Sequence, residues 1–274
     1  MKFYSIAQAF INPKFAIYAL SKKYIKYYEG FSYNFTKNGE EFLLNSLKNE
    51  SINVVFDVGA NTGEWTKIAL NKFKKAKIHS FELSNETYKT LQKNLTSKKK
   101  RTCLINAGLS NQEQKVLYKD YGKNSRVNTI ISEARFHDSR IKPKLINGVL
   151  KTGDIYCQKK NIQNIDFLKI DVEGAEHLVL EGFQNMLKKK SIKIIQFEYG
   201  YASGDAKFLM KDFFNLLNKY NYIVGPLKPN GVYFMNFEYP LNDFNSGPNY
   251  VAILKSEPEL IKKVSGQILK GFPR

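Results

Sequence analysis

Along most of this chain, short unbroken apolar runs alternate with stretches whose apolar residues recur every three or four positions. Residues 52–57, 78–83, 102–107, 165–172 and 192–199 carry the unbroken pattern, which predicts strands buried on both faces. Residues 64–73, 85–95, 175–188 and 205–220 carry the helical spacing and fall between those runs. Strands alternating with helices predict an α/β domain, a doubly wound and mostly parallel sheet with helices on both faces. Two further runs, 222–224 and 250–254, come last. Gly225, Pro226 and Pro229 follow the first of them, so these two are expected to form an antiparallel pair at one edge.

The pattern sets the domain at 51–256, behind a helical N-terminal extension (1–50) and ahead of a C-terminal helix or tail (257–274). Residues 15–28 place Phe15, Tyr18, Ala19, Lys22 and Ile25 at helical spacing, beside Lys23 and Lys26. The expectation is a helix packed on the domain and shielding its sheet. The alternative is peripheral contact of this basic, aromatic helix with an anionic membrane surface. Pro13 and Lys14 split the apolar residues of the first twenty positions, so neither a secretory signal nor a membrane span is expected. Residues 120–148 lack periodicity and carry Arg126, Arg135, His137, Arg140, Lys142 and Lys144. An irregular connection of that length suits a lid or binding loop, here the candidate for substrate recognition.

Composition narrows the class. Of 274 residues, 43 are Lys or Arg and 25 Asp or Glu, a net charge of +18. Such a field attracts anions. The charge is dispersed, however, and no nucleic-acid reading module accompanies it, so no nucleic-acid partner is expected. The run Lys98-Lys99-Lys100-Arg101 is expected at a helix end, where it complements the helix dipole. Two cysteines exclude a disulfide scaffold and suit a reducing compartment. The expected location is cytoplasmic, or membrane-peripheral in the alternative above.

Candidate chemistry begins where the first strand ends, at Asp57-Val58-Gly59-Ala60-Asn61-Thr62-Gly63. Gly59 permits a tight turn, and Gly63 is expected to let the backbone approach a ligand at the helix start. The spacing Gly-x-x-x-Gly is not the Gly-x-Gly-x-x-Gly of dinucleotide sites, and Asp57 would repel a pyrophosphate. Both features speak against a nicotinamide oxidoreductase. Asp57 would instead attract an amino group. Glu82 ends the second strand, 25 residues after Asp57, where an acid can accept both ribose hydroxyls. A ribose without a pyrophosphate, plus an amino group, describes S-adenosylmethionine. The candidate cofactor-binding residues are Asp57, Gly59, Asn61, Gly63, Glu82 and Leu83.

A second group follows the strand at 165–172. Asp171 ends it, Glu173 lies in the loop, and Glu176 opens the next helix. Asp171 and Glu173 are the candidate catalytic residues, beside the methionine end of the cofactor; a general base is worth ~10²–10⁴-fold to a hydroxyl acceptor. Glu176 is expected to cap its helix. The group, with Asp154, has the oxygen chemistry for Mg²⁺, but no ligand pattern assigns a metal and none is assigned. Lys169 is expected on the opposite face of the strand from Asp171, paired with a neighbouring acid. Glu198 closes the following strand and faces either the pocket or the core. Trp65 is expected to pack under the glycine loop, His79 to be packed or at an edge, and His177 to lie on a helix surface. His137 is the histidine to test as a base.

These motifs resemble a known family. VVFDVGANTGEW (54–65) and IDFLKIDVEGAEHLVLEGF (165–183) look like the FkbM family of S-adenosylmethionine-dependent methyltransferases. INAGLSN (105–111), TGD (152–154), QFEYG (196–200) and Asn38-Gly39-Glu40 are supporting matches, so the resemblance spans residues 35–201. It implies a Rossmann-like class I methyltransferase fold, with a seven-stranded sheet that has one antiparallel edge strand. It also implies methyl transfer to a hydroxyl, of a sugar in polysaccharide or glycolipid biosynthesis, with a small molecule or glycan as partner. The basic residues of 120–148 would suit a nucleotide- or lipid-linked acceptor. The chain departs from the family pattern at Leu83, usually Pro, at Asn111, usually an acid, and at Gly108, usually Ala. The competing readings are a non-sugar hydroxyl or amine acceptor, and a non-catalytic anion-binding protein on the same scaffold.

Overall fold

From the N-terminus, helices α1 (Pro13–Tyr28) and α2 (Glu40–Ser46) precede strand β1 (Val54–Val58) in the computed structural model, which describes residues 13–28, 31–32, 34–134, 142–238 and 249–266. Helix α3 (Glu64–Lys72), strand β2 (Lys77–Phe81), helix α4 (Asn85–Asn94) and, after a 3-10 turn at Thr96–Arg101, strand β3 (Thr102–Ile105) follow. The chain then leaves the main sheet for β4 (Gly108–Leu109), β5 (Gln114–Asp120) and β6 (Lys144–Lys151). It returns through α5 (Gly153–Lys159) to β7 (Ile165–Ile170), and α6 (Glu176–Glu181) and α7 (Gln184–Lys188) lead on to β8 (Ile192–Glu198). Helices α8 (Tyr201–Asp205) and α9 (Met210–Lys219) precede β9 (Tyr222–Lys228), β10 (Gly231–Val232), β11 (Asn249–Leu254) and α10 (Pro258–Val264).

The main sheet has the order β10-β9-β11-β8-β7-β1-β2-β3. Strands β3, β2, β1, β7 and β8 run parallel to one another. Strand β11 runs antiparallel to both β8 and β9, so the pair foreseen at 222–224 and 250–254 forms. Two-residue β10 adds an eighth, antiparallel strand beyond the seven expected. Chain order reverses between β1 and β7, and the crevice beyond the carboxyl ends there is where open α/β sheets take ligands.

Both faces of the sheet are covered, as the unbroken apolar runs demand. Phe56, Leu168, Ile195 and Phe197 face Leu180 of α6 and Phe213 of α9. Val55, Phe167, Ile194 and Val251 face Leu43 and Leu44 of α2, Leu70 of α3 and Leu91 of α4. Each such side chain, fully buried, contributes roughly 1.5–3 kcal/mol.

Four expectations are corrected. The helix foreseen at 175–188 is two helices, parted at Gly182-Phe183, where the Phe183 N–H donates to the Leu180 carbonyl at 3.1 Å in a tighter turn. The helix foreseen at 205–220 is likewise broken, with Lys207 at φ +59° between α8 and α9. Part of 120–148 is regular: β6 pairs antiparallel with β5 and parallel with β4 in a separate three-stranded sheet. Helix α1 does not shield the main sheet: Ile17 and Leu20 are 65% and 66% exposed. The shielding is done by α2, whose Leu43 and Leu44 are buried. Among the described residues no helix is long and apolar enough to cross a membrane.

Candidate active site

On the face covered by α2 and α3, the apolar strands are interrupted by a polar row. Ser80 of β2, Asp57 of β1, Lys169 of β7 and Gln196 of β8 are successive register neighbours, and all four are buried. Two residues further along each chain, at the carboxyl ends, come Glu82, Gly59, Asp171 and Glu198. Because strand side chains alternate, these share the same face of the sheet.

Lys169 links the two rows. Its Nζ lies 2.9 Å from Asp171 Oδ2 and 4.0 Å from Asp57 Oδ1. This corrects its expected placement: positions 169 and 171 differ by two, so they share a face and pair with each other. Burial alone would lower the Lys169 pKa, but the charges of Asp171, Asp57 and Glu40 outweigh it and raise the pKa above the usual lysine value. Asp57 is fully buried beneath the glycine loop and accepts a 2.5 Å hydrogen bond from Thr66 on Oδ2. Burial raises its pKa despite Lys169 and Thr66, and its Oδ1 has no hydrogen-bond partner. Glu40, at the start of α2, joins from the side, accepting from Gln196 Nε2 at 2.8 Å and Asn38 Nδ2 at 2.7 Å.

The loop after β1 is held tightly. Gly59 adopts φ +83°, and a Cβ there would run into the Asp171 carbonyl, so only glycine lets the ends of β1 and β7 meet. Gly63, at φ +84°, faces Leu91 of α4, and a Cβ there would lie 2.7 Å from that side chain. Asn61 donates its backbone N–H to Glu82 Oε2 at 2.9 Å, and Ser84 donates its own to Glu82 Oε1 at 2.9 Å. Burial pushes Glu82 up to about 7 in spite of those two donors. The Leu83 side chain packs into the small sheet, where a Cβ on Gly148 would lie 2.5 Å from its Cδ1.

Beyond β7, Asp171, Glu173 and Glu198 bring carboxylate oxygens within 4.8 Å of one another, a spacing able to hold a metal ion. Asp154 is not among them; it accepts from the backbone of Asn185 and Met186 and caps α7. Burial works against ionised Asp171, but Lys169 overrides it and Asp171 is held below its ordinary value. Glu173 and Glu198 are pushed well above theirs, first by burial and then by the Asp171 charge. Glu176 accepts from the backbone N–H of Val172 and Gly174 and staples the loop that carries Glu173, which stands at φ +56°. Burial raises Glu176 to about 7.

Part of the irregular connection folds over this end of the sheet. Asp120 accepts from Ser84, Tyr118 and the Gly122 backbone, fixing the connection beside Glu82. Asn61 Nδ2 donates to the Ser125 carbonyl, Arg126 pairs with Glu64 at 3.0 Å, and Thr129 donates to the Glu173 carbonyl at 2.7 Å. Arg135, His137 and Arg140 lie outside the described residues. His79 is packed, bonded to the Tyr156 hydroxyl, and burial lowers it to about 4. His177 is half-buried against Phe208, not on an open helix surface as expected. Trp65 packs against Phe167, below the loop.

Residues missing from the candidate set are Lys169, as the hub, Glu40, and Glu198, which the sequence left between pocket and core. Lys169 was legible as a charge inside an otherwise apolar run, whereas nothing local to Asn38-Gly39-Glu40 points to Gln196, 156 residues away. For S-adenosylmethionine the residues fit: a buried acid at the end of β2, a side-chain-free turn at Gly59, and an Asp57 oxygen awaiting a donor.

Comparison with known proteins agrees with this geometry. The family model for the methyltransferase FkbM domain matches residues 57–224. A precorrin-6y C5,15-methyltransferase from Geobacter metallireducens is 12% identical, with TM-score 0.41, over 79% of this chain and 86% of its own. A Streptococcus mutans protein described as a methyltransferase, solved with S-adenosylhomocysteine (SAH), is 12% identical, with TM-score 0.42, over 78% and 95%. TrmK from M. capricolum, also solved with SAH, is 15% identical, with TM-score 0.39, over 77% and 66%. A search of curated proteins gave no match. The family match covers more than half of the chain and takes in the glycine loop, Glu82 and the acid cluster, so this protein belongs to the FkbM methyltransferase family and is an S-adenosylmethionine-dependent methyltransferase.

Proposed function

We propose that the acceptor is a hydroxyl, and that it belongs to a sugar in polysaccharide or glycolipid biosynthesis. The observation that carries this reading is the trio Asp171, Glu173 and Glu198 at the end of the switch-point crevice. S-adenosylmethionine, when bound, supplies a methyl group that its sulfonium already activates. What the chain must add is orientation of the acceptor and a place for its proton. Asp171, kept ionised by Lys169, is the base for that proton. Glu173 and Glu198, pushed upward by burial and the Asp171 charge, offer two further carboxyl groups to neighbouring acceptor oxygens. Three carboxyl groups around one point suit a polyol, with several hydroxyls to bind, better than an isolated amine. Glu82 and the Gly59 turn hold the cofactor ribose, and the 121–134 stretch closes over it.

The test offers the purified chain methyl-labelled S-adenosylmethionine with free, nucleotide-linked and lipid-linked sugars. The expected product carries label in an O-methyl sugar. Asp171→Asn should lower turnover by ~10²–10⁴-fold while calorimetry shows the cofactor still bound. Label on amines alone, or undiminished turnover in Asp171→Asn, would reject the reading. A folded chain that binds no S-adenosylmethionine would favour the non-catalytic alternative.

A further inference from the structure

Helix α1 is exposed along almost its whole length: every side chain from Ile17 to Tyr27 is open to solvent. At 16 residues it is near the length at which a helix is marginal in water without packing. Its side chains are nevertheless sorted. At ~100° per residue, Ile17, Leu20, Tyr24 and Tyr27 fall within one arc of ~80°, and Tyr18 and Ile25 widen it on one side. Lys22, Lys23 and Lys26 occupy the opposite side, Lys14 at the helix start falls on the apolar side, and the helix has no acidic residue. Ile17, Leu20 and Tyr27 are 65%, 66% and 70% exposed, unlike the apolar residues of α2.

We propose that α1 is a membrane-docking helix that lies on an anionic lipid surface, with its Ile17–Leu20–Tyr27 face at the headgroup–acyl boundary and its lysines among the headgroups. Charge complementarity selects this occupant: a cationic, acid-free helix on a chain of net charge +18 is repelled by a second copy of itself and attracted by an anionic bilayer. Tyrosines flanking the aliphatic residues suit the membrane interface, where a ring is buried and its hydroxyl stays wet. The lysine stems can reach past the apolar arc to the headgroups.

Docking is tested by co-sedimenting the full chain with vesicles of phosphatidylcholine, with and without phosphatidylglycerol, in the absence of any acceptor. Binding to anionic vesicles should exceed that to neutral ones by at least ~10-fold and weaken as salt rises. The double variant Leu20→Asp/Tyr27→Asp should lose ~10-fold or more of that binding, with an unchanged melting temperature. Lys98→Gln/Lys99→Gln, which removes the same charge far from α1, should retain it. Equal losses in the two variants would reduce the effect to adsorption of a basic chain and overturn the proposal. So would a dimer in lipid-free solution that Leu20→Asp/Tyr27→Asp dissolves, without vesicle binding. Failure of sugar methylation with docking intact would strike only the acceptor reading.

Discussion

Lys169 neutralises two acids with one charge: Asp57 and Asp171 both lie within 4.0 Å of its ammonium, and Lys169 and Asp57 are buried while the Asp171 side chain is partly open. Removing one partner of such a set leaves buried charge uncompensated. Lys169→Met should therefore destabilise the chain by roughly 3–5 kcal/mol in urea unfolding at neutral pH. Adding Asp57→Asn to that variant should recover part of the loss, since one orphaned carboxylate is gone. Lys169→Met should also raise the Asp171 pKa and move the acid limb of the turnover profile to higher pH, which loss of stability alone would not do. Glu82 gives a second test. With its pKa at about 7, cofactor affinity should fall as pH drops through 7, approaching tenfold per unit, because the protonated acid accepts ribose hydroxyls poorly. Glu82→Gln should bind weakly and without that pH dependence in calorimetry. Asp57, Glu82, Asp171 and Glu176 were legible because each stands at the end of a strand or opens a helix, whereas Glu40, which meets the site through Gln196, was not. The role of Lys169 was legible too, through its two-residue offset from Asp171, once alternation along the strand is respected.

At the scale of elements, the glycine turn and the acid loop act as one unit, because the Gly59 backbone rests on the Asp171 carbonyl. Gly59→Ala should force β1 and β7 apart, costing at least ~2 kcal/mol of stability and more than tenfold in cofactor affinity. Gly204→Ala in α8, where a Cβ meets open space, should leave both within ~1 kcal/mol of the parent; thermal denaturation and calorimetry compare them. The sequence pattern places both turns correctly but misses the breaks before α7 and before α9. Periodicity runs on through Gly182, whose own φ/ψ is helical, so nothing in the spacing marks the break at Gly182-Phe183. Strand β6 escaped for a different reason: Leu145, Ile146 and Val149 are exposed on a sheet too small to have two dry faces, so no buried run marks it. Arg101, in the basic run expected at a helix end, does cap a helix, but α3 and not its own: it donates to the Leu70 and Phe73 carbonyls at 2.9 Å. Spacing within one segment cannot reveal that.

For the whole molecule, the site sets the pH dependence of stability. Glu82 and Glu176 sit at about 7 when folded against 4.5 as ordinary carboxyls, and Glu173 and Glu198 are shifted the same way. Raised acids hold protons that the unfolded chain releases, so their contribution is complete below 4.5 and is lost as pH rises to 7. Asp171, lowered, acts oppositely and loses its contribution only in more acidic solution. The cofactor-free chain should therefore melt at a higher temperature at pH 5 than at pH 7.5, measured at high salt to screen the net charge of +18. Glu176→Gln should flatten the trend. The α/β plan was legible in the order of runs and helices, and so was the pairing of β9 with β11, whereas the contact of β11 with β8 on its other side was not. Strands this apolar on both faces could slide past one another by one residue with little loss of hydrophobic burial. Lys169 forbids that slip, which would swing its ammonium to the side of Phe56, Leu168 and Phe197, with no counterion in reach. The charge that keeps Asp171 ionised thus also dictates, as the chain folds, the one alignment in which β1, β7 and β8 can come to rest.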